Sequence, residues 1–144
     1  MDKKPQIIAI TPIDASKLIQ KEPKSLFIDV RSYMEFLFIG HPVGALHVPW
    51  IDEPDWTINP GFVVDVRKLV LGGLSHSDAN PHNVPVILIC RSGQRSKEAA
   101  NLLIQEGFFN VFNITSGFEG ELDDNHQRST KEGWRFDGLP WEQC

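Results

Sequence analysis

Short apolar runs alternate with longer amphipathic stretches along this chain, and turn-forming residues separate them. Ile7–Ile10 is the first run and predicts a strand. A helix is predicted after it: Thr11 can cap it, Pro12 suits its first turn and Asp14 favours its N-terminus. Ala15, Leu18 and Ile19 give that helix an apolar face, and Pro23 ends it. Leu26–Val30 predicts a second, buried strand. Ser32 and Glu35 have capping-box spacing and predict a short helix through Phe38. A turn at Gly40–Gly44 leads to a third strand, Ala45–Val48, closed by Pro49. Residues 50–59 read as loop. Asn59-Pro60 starts another helix with the stripe Phe62, Val63, Val66, Leu69 and Val70, ended by Gly72-Gly73. Residues 74–85 form a polar loop, the expected mobile segment. Val86–Ile89 and Asn110–Asn113 predict two more strands, and Gly117–Leu122 a short helix. The tail from Asp123 is polar and then aromatic. Strands alternating with helices predict an α/β fold, a parallel sheet of roughly five strands with helices on both faces.

The chemistry concentrates where Val86–Ile89 ends. The run is short and β-branched, as a central strand is, and it stops at Cys90. Ser96-Lys97-Glu98-Ala99-Ala100 then opens a helix whose buried face includes Ala99, Leu102 and Leu103 and which Gly107 stops. The intervening loop, Arg91, Ser92, Gly93, Gln94 and Arg95, can curl so that its N–H groups point at the sulfur. The helix dipole adds positive potential, as do Arg91 and Arg95 where they turn inward. Such surroundings favour the thiolate, which is the nucleophile, and would hold an anionic group attached to it. Asp29 and Arg31 fall at the end of the second strand. Sites on parallel sheets form outside the carboxyl ends of strands, so these residues and Cys90 belong to one edge.

Composition narrows the reading. A chain of 144 residues suits one domain with a sizeable core. The net charge of −5 argues against a general nucleic-acid binder. No stretch approaches a membrane helix, and the N-terminus is not a signal peptide. The two cysteines are Cys90 and Cys144, the last residue, so a structural disulfide is not expected. These features point to a cytoplasmic protein whose reducing surroundings suit a working thiol. No spacing suits zinc, and no Walker pattern appears.

Cys90-Arg91-Ser92-Gly93-Gln94-Arg95-Ser96 resembles the active-site loop of the rhodanese (sulfurtransferase) family. Two further stretches agree with it. Phe27-Ile28-Asp29-Val30-Arg31, with Glu35-Phe36 and Gly40–Ala45, resembles the entry motif, and Ile114–Gly120 with Gly138–Trp141 resembles the closing motif. The likeness runs from about residue 7 to 143. It implies a rhodanese-like fold in a single domain, 1–144. It also implies sulfur transfer from thiosulfate or a persulfide donor through a persulfide on Cys90, with no metal and no other cofactor. The acceptor would be cyanide, a thiol or a small sulfur-carrier protein. In that reading Arg91 attracts the anionic donor, and Arg95 braces the loop or binds the anion. The loop amides of Ser92 to Ser96 stabilise the persulfide.

Rival readings stand beside this one. Relatives acting on phosphate or arsenate carry a wider C-x5-R cradle, whereas Cys90 to Arg95 is C-x4-R, the length that goes with sulfur. A persulfide carrier or sensor with little turnover needs the same loop. Asp29 and Arg31 are expected to be a supporting ion pair rather than catalysts. His41 in a His-Pro turn is expected to brace a loop, His76 and His82 to be solvated, and Cys144 to be a bystander. Phe118, Trp134 and Trp141 should pack in the core or hold the tail. Trp50 and Trp56 could line the pocket mouth or pack on the surface. Met34–Phe38 is bulkier than the family's usual helix, and Ser116 stands where a glycine is common; neither touches the loop.

Overall fold

A computed structural model describes residues 6–73 and 84–143. Strand β1 (Ile8–Ile10) leads into helix α1 (Pro12–Lys21), where the Thr11 side chain accepts from the Asp14 N–H at 3.2 Å. Strand β2 (Leu26–Asp29) follows, then short strands β3 (His41–Pro42), β4 (Leu46–His47), β5 (Ile51–Asp52) and β6 (Thr57–Ile58). Helix α2 (Phe62–Gly73), strand β7 (Val86–Ile89), helix α3 (Gln94–Gln105) and strands β8 (Val111–Ile114) and β9 (Trp141–Glu142) complete the described chain.

Five strands form one parallel sheet in the order β1-β8-β7-β2-β4. The pleat divides the core in two. Ile28, Val30, Val86, Leu88 and Val111 face α2 and α3, packing on Val66, Val70, Ala99 and Leu103. Phe27, Ile87, Ile89 and Ile114 face the other way, onto Ala15 of α1 and onto Phe118 and Trp134. All four β7 side chains are fully buried, as a central strand covered on both faces requires. Each such side chain contributes roughly 1.5–3 kcal/mol of apolar burial.

Some segments depart from the sequence reading, among them the 40–44 turn and the tail, where β3 and β9 pair antiparallel. Residues 50–59 are not plain loop: β5 and β6 pair antiparallel, Ile51 with Ile58 and Asp52 with Thr57. Two-residue strands are too short to show alternation. Residues 117–122 turn without forming a helix, because Gly117 and Gly120 have φ of 67° and 75°, which a right-handed helix does not contain. The short helix expected after the capping box is present, but it winds as a π-turn over Glu35–Ile39, closed by the Gly40 N–H donating to the Glu35 carbonyl at 3.2 Å. The predicted mobile loop, 74–85, falls largely outside the described residues, as do His76, His82 and Cys144.

Candidate active site

The site grows from the carboxyl ends of β2 and β7, which are neighbours with Asp29 opposite Ile89. Cys90 is the next residue after β7, and its side chain is almost wholly buried. The Gly93 N–H donates to Cys90 Sγ at 3.1 Å, and Ser96 Oγ lies 3.2 Å from the same sulfur. The chain makes this approach only because Gly93 has φ of 107°, a left-handed conformation. A Cβ there would also lie 2.2 Å from the Thr115 carbonyl oxygen. The next residues start α3, so the N–H groups of its first turn have no carbonyl one turn back to bond. They add positive potential beside the sulfur.

The loop is gripped from behind by the segment after β8. The Phe118 N–H donates to the Cys90 carbonyl at 2.8 Å, and those of Glu119 and Gly120 to the Arg91 carbonyl at 2.9 and 3.1 Å. This close backbone contact explains Gly117: a Cβ there would lie 2.5 Å from the Arg91 carbonyl oxygen.

The two loop arginines part company. Arg91 projects its side chain into solvent, while Arg95 turns inward and makes a two-pronged ion pair with Glu35 at 2.7 and 2.9 Å. Burial alone would raise the Glu35 carboxyl. The hydrogen bonds and charge of Arg95, with Arg31 and the Ser32 N–H, outweigh it and lower the carboxyl from 4.5 to about 2. The Glu35 hydrogen bond in turn raises the Arg95 guanidinium further above its ordinary value, against the effect of its burial. Arg95 therefore braces the loop; its two terminal nitrogens are both committed to a carboxylate. Ser92 is half-buried and Gln94 is exposed.

Asp29 and Arg31 are both fully buried and form a bidentate pair, with Arg31 Nη2 2.7 Å from Asp29 Oδ2. The same guanidinium donates to the Gly40 carbonyl and stacks 4.5 Å from the centre of the Phe118 ring. It thus ties the π-turn and the closing segment to the sheet edge. His41 stacks on Phe36 with ring centres 3.8 Å apart, and its Nδ1 lies 2.8 Å from the Phe36 carbonyl oxygen. Trp50 is buried against Phe62, and Trp56 is exposed.

Sequence reasoning missed two contributors. Glu35 was read as part of the entry motif and as a capping residue, and it does cap: it exchanges hydrogen bonds with Ser32 at 3.3 Å in both directions. Its second carboxylate contact, to Arg95, spans 60 positions and left no local trace. Asn113 is buried on β8, where it touches both Ser96 and Gly93. Its one available signal was a polar residue inside an apolar strand. Among the described residues no group of three or more His, Cys, Asp or Glu side chains is placed to hold a metal ion.

The Rhodanese-like domain family matches residues 11–122, well over half of the chain. The protein belongs to the rhodanese-like family. A Mycobacterium tuberculosis protein, Rv0390, has a crystal structure that superposes with a TM-score of 0.77 at 34% identity, covering 94% of this chain and 97% of that one. The thiosulfate sulfurtransferase GlpE of Haemophilus influenzae is 28% identical over 77% of this chain and 84% of its own length. The polysulfide-sulfur transferase of Wolinella succinogenes shares the fold, with a TM-score of 0.54 at 24% identity over 96% of this chain and 80% of that one. Membership supports sulfurtransferase-type activity. Cys90 and its loop lie at the carboxyl end of β7, the middle strand of the parallel sheet.

Proposed function

We propose that this rhodanese transfers sulfane sulfur through a persulfide on Cys90, with thiosulfate as a competent donor. The Cys90 thiolate attacks the outer sulfur of thiosulfate. The S–S bond of the donor breaks, sulfite leaves with the electron pair, and the outer sulfur stays on Cys90 as an anionic persulfide. An acceptor nucleophile then attacks that outer sulfur and releases the thiolate. Cyanide would leave as thiocyanate; a thiol or the thiolate of a small sulfur-carrier protein would leave as a persulfide.

One observation carries this reading: Cys90 Sγ receives the Gly93 N–H at the mouth of a tight loop ending in α3. The same amides can hold a negative charge one sulfur further out. Arg91, exposed at the loop, is proposed to attract the dianionic donor. Arg95 is proposed to set the loop's shape through Glu35. The six-residue span from Cys90 to Arg95 supports sulfur over the larger tetrahedral oxyanions. The H. influenzae relative, a thiosulfate sulfurtransferase by name, supports thiosulfate as donor. A reducing cytoplasm would keep the thiol working.

The test is thiosulfate-to-cyanide transfer, read as thiocyanate, with Cys90→Ala alongside and intact mass of the thiosulfate-treated protein. Turnover that disappears in Cys90→Ala, together with a one-sulfur adduct on Cys90, is the expected result. A stable adduct without turnover would replace the enzyme reading with a carrier or sensor. Neither adduct nor turnover would overturn sulfur chemistry and direct attention to phosphate and arsenate substrates.

A further inference from the structure

Asn113 lies on β8, outside the loop, and is 6% exposed. Its Nδ2 donates to the Gly93 carbonyl at 3.2 Å, and its Oδ1 accepts from the Ser96 hydroxyl. The Gly93 carbonyl fixes which way the amide faces, because a flipped Asn113 would set Oδ1 against another acceptor. The Ser96 hydroxyl has one proton and three acceptors in reach: Asn113 Oδ1, the Gly93 carbonyl at 3.2 Å and Cys90 Sγ at 3.2 Å. It can donate to one of them at a time.

We propose that Asn113 is a positioning residue that holds the Ser96 proton away from Cys90 Sγ. The inference deepens the persulfide reading above. With the proton on Asn113, Ser96 offers its lone pairs to the sulfur and suits a thiol S–H. A thiolate already accepts the Gly93 N–H, and it gains the Ser96 proton as well only by pulling it off Asn113, which leaves a buried amide oxygen unpaired. The persulfide carries its charge on the outer sulfur, away from Ser96, so it does not demand that exchange. Asn113 thereby denies the unloaded sulfur a second donor and leaves the loaded form unaffected, which tilts the cysteine toward its loaded form. The Ser96 hydroxyl only rotates; when the thiol ionises its S–H bond breaks, the electron pair stays on sulfur and the proton goes to solvent. The charged groups around the sulfur stay in place: Arg91 and Arg95 on the loop and α3, Glu35 on the π-turn, Asp29 and Arg31 at the end of β2, and Glu119 behind the loop.

The test follows the unloaded cysteine with iodoacetamide at neutral pH and with the ultraviolet absorbance of the thiolate, neither of which needs a sulfur donor. Asn113→Ala frees the Ser96 hydroxyl. It is expected to raise the alkylation rate roughly threefold to tenfold, with a matching rise in thiolate absorbance. Asn113→Asp keeps the size and the acceptor but adds negative charge, and is expected to move both readouts the other way. In a Ser96→Ala background the Asn113→Ala effect is expected to vanish. The same change with and without Ser96, or no change in either variant, would overturn the proposal. A failure of sulfur transfer in the wild type would leave these readouts unaffected, so the two readings are tested separately.

Discussion

Arg91 and Arg95 are four positions apart on one loop, yet they do different work. Arg91 is solvated, so its charge acts at a distance, and Arg95 is half-buried with both prongs on Glu35. Arg91→Ala is expected to change stability by less than about 0.5 kcal/mol. It should raise the KM for thiosulfate roughly threefold, with kcat nearly unchanged and with the effect fading at high salt. Steady-state kinetics at two ionic strengths check it; an unchanged KM would remove Arg91 from donor binding. Gly117 makes the complementary case. Its φ of 67° and the 2.5 Å approach to the Arg91 carbonyl leave no place for a methyl group. Gly117→Ala is expected to cost about 2–4 kcal/mol and to reduce sulfur transfer by distorting the loop. Urea unfolding beside the thiocyanate assay would show both losses, and a stable, fully active variant would contradict the tight-contact argument.

At the scale of elements, the capping box Ser32–Glu35 joins local structure to the site. One carboxylate caps the π-turn and also anchors α3 through Arg95. Because the Glu35 carboxyl falls from 4.5 in the unfolded chain to about 2 in the fold, its contribution is complete above pH 4.5. That contribution is lost as the pH falls toward 2, and it amounts to roughly 3 kcal/mol. Wild type should therefore exceed Glu35→Gln by about that much above pH 4.5, and the gap should close toward pH 2. Denaturant midpoints at a series of pH values measure it; a gap independent of pH would mean that ionisation of Glu35 is not what holds the loop. The elements themselves were largely legible. Long periodic stretches such as Phe62–Val70 and the β-branched Val86–Ile89 announce helix and buried strand without help. The π winding of the helix after the capping box, the β5–β6 hairpin and the turns after Ile114 were not, because hydrogen bonds to distant residues and backbone dihedrals decide them, and neither has a periodic trace. The Cys90 loop was readable as a strand-to-helix junction. Its support from Glu35 and Asn113 comes from other parts of the chain and was not.

At the scale of the whole molecule, the last described residues return to the site edge. Strand β9 pairs antiparallel with β3, Trp141 opposite Pro42, and the Trp141 ring packs over Gly40. The ring also meets Phe118 edge-on at 6.0 Å, and the Arg135 guanidinium lies 5.3 Å from its centre. Phe118 is the residue whose N–H holds the Cys90 carbonyl, so the tail bears on the loop through one intermediate side chain. Arg31 reaches the same ring from the sheet side, which places Phe118 between two guanidinium groups and the tail. Trp141 keeps 40% of its surface exposed, so its removal should cost less than the 3–5 kcal/mol of a buried tryptophan. Trp141→Ala is expected to lose about 1–2 kcal/mol and to lower sulfur transfer in parallel, while Trp141→Phe, which keeps a ring against Phe118, recovers most of both. Thermal unfolding and the thiocyanate assay on the same samples separate the alternatives. A variant that loses stability but transfers sulfur at the wild-type rate would show that β9 steadies the fold without reaching the loop. Joint loss with joint rescue by phenylalanine would make the tail part of the support on which Cys90 is held.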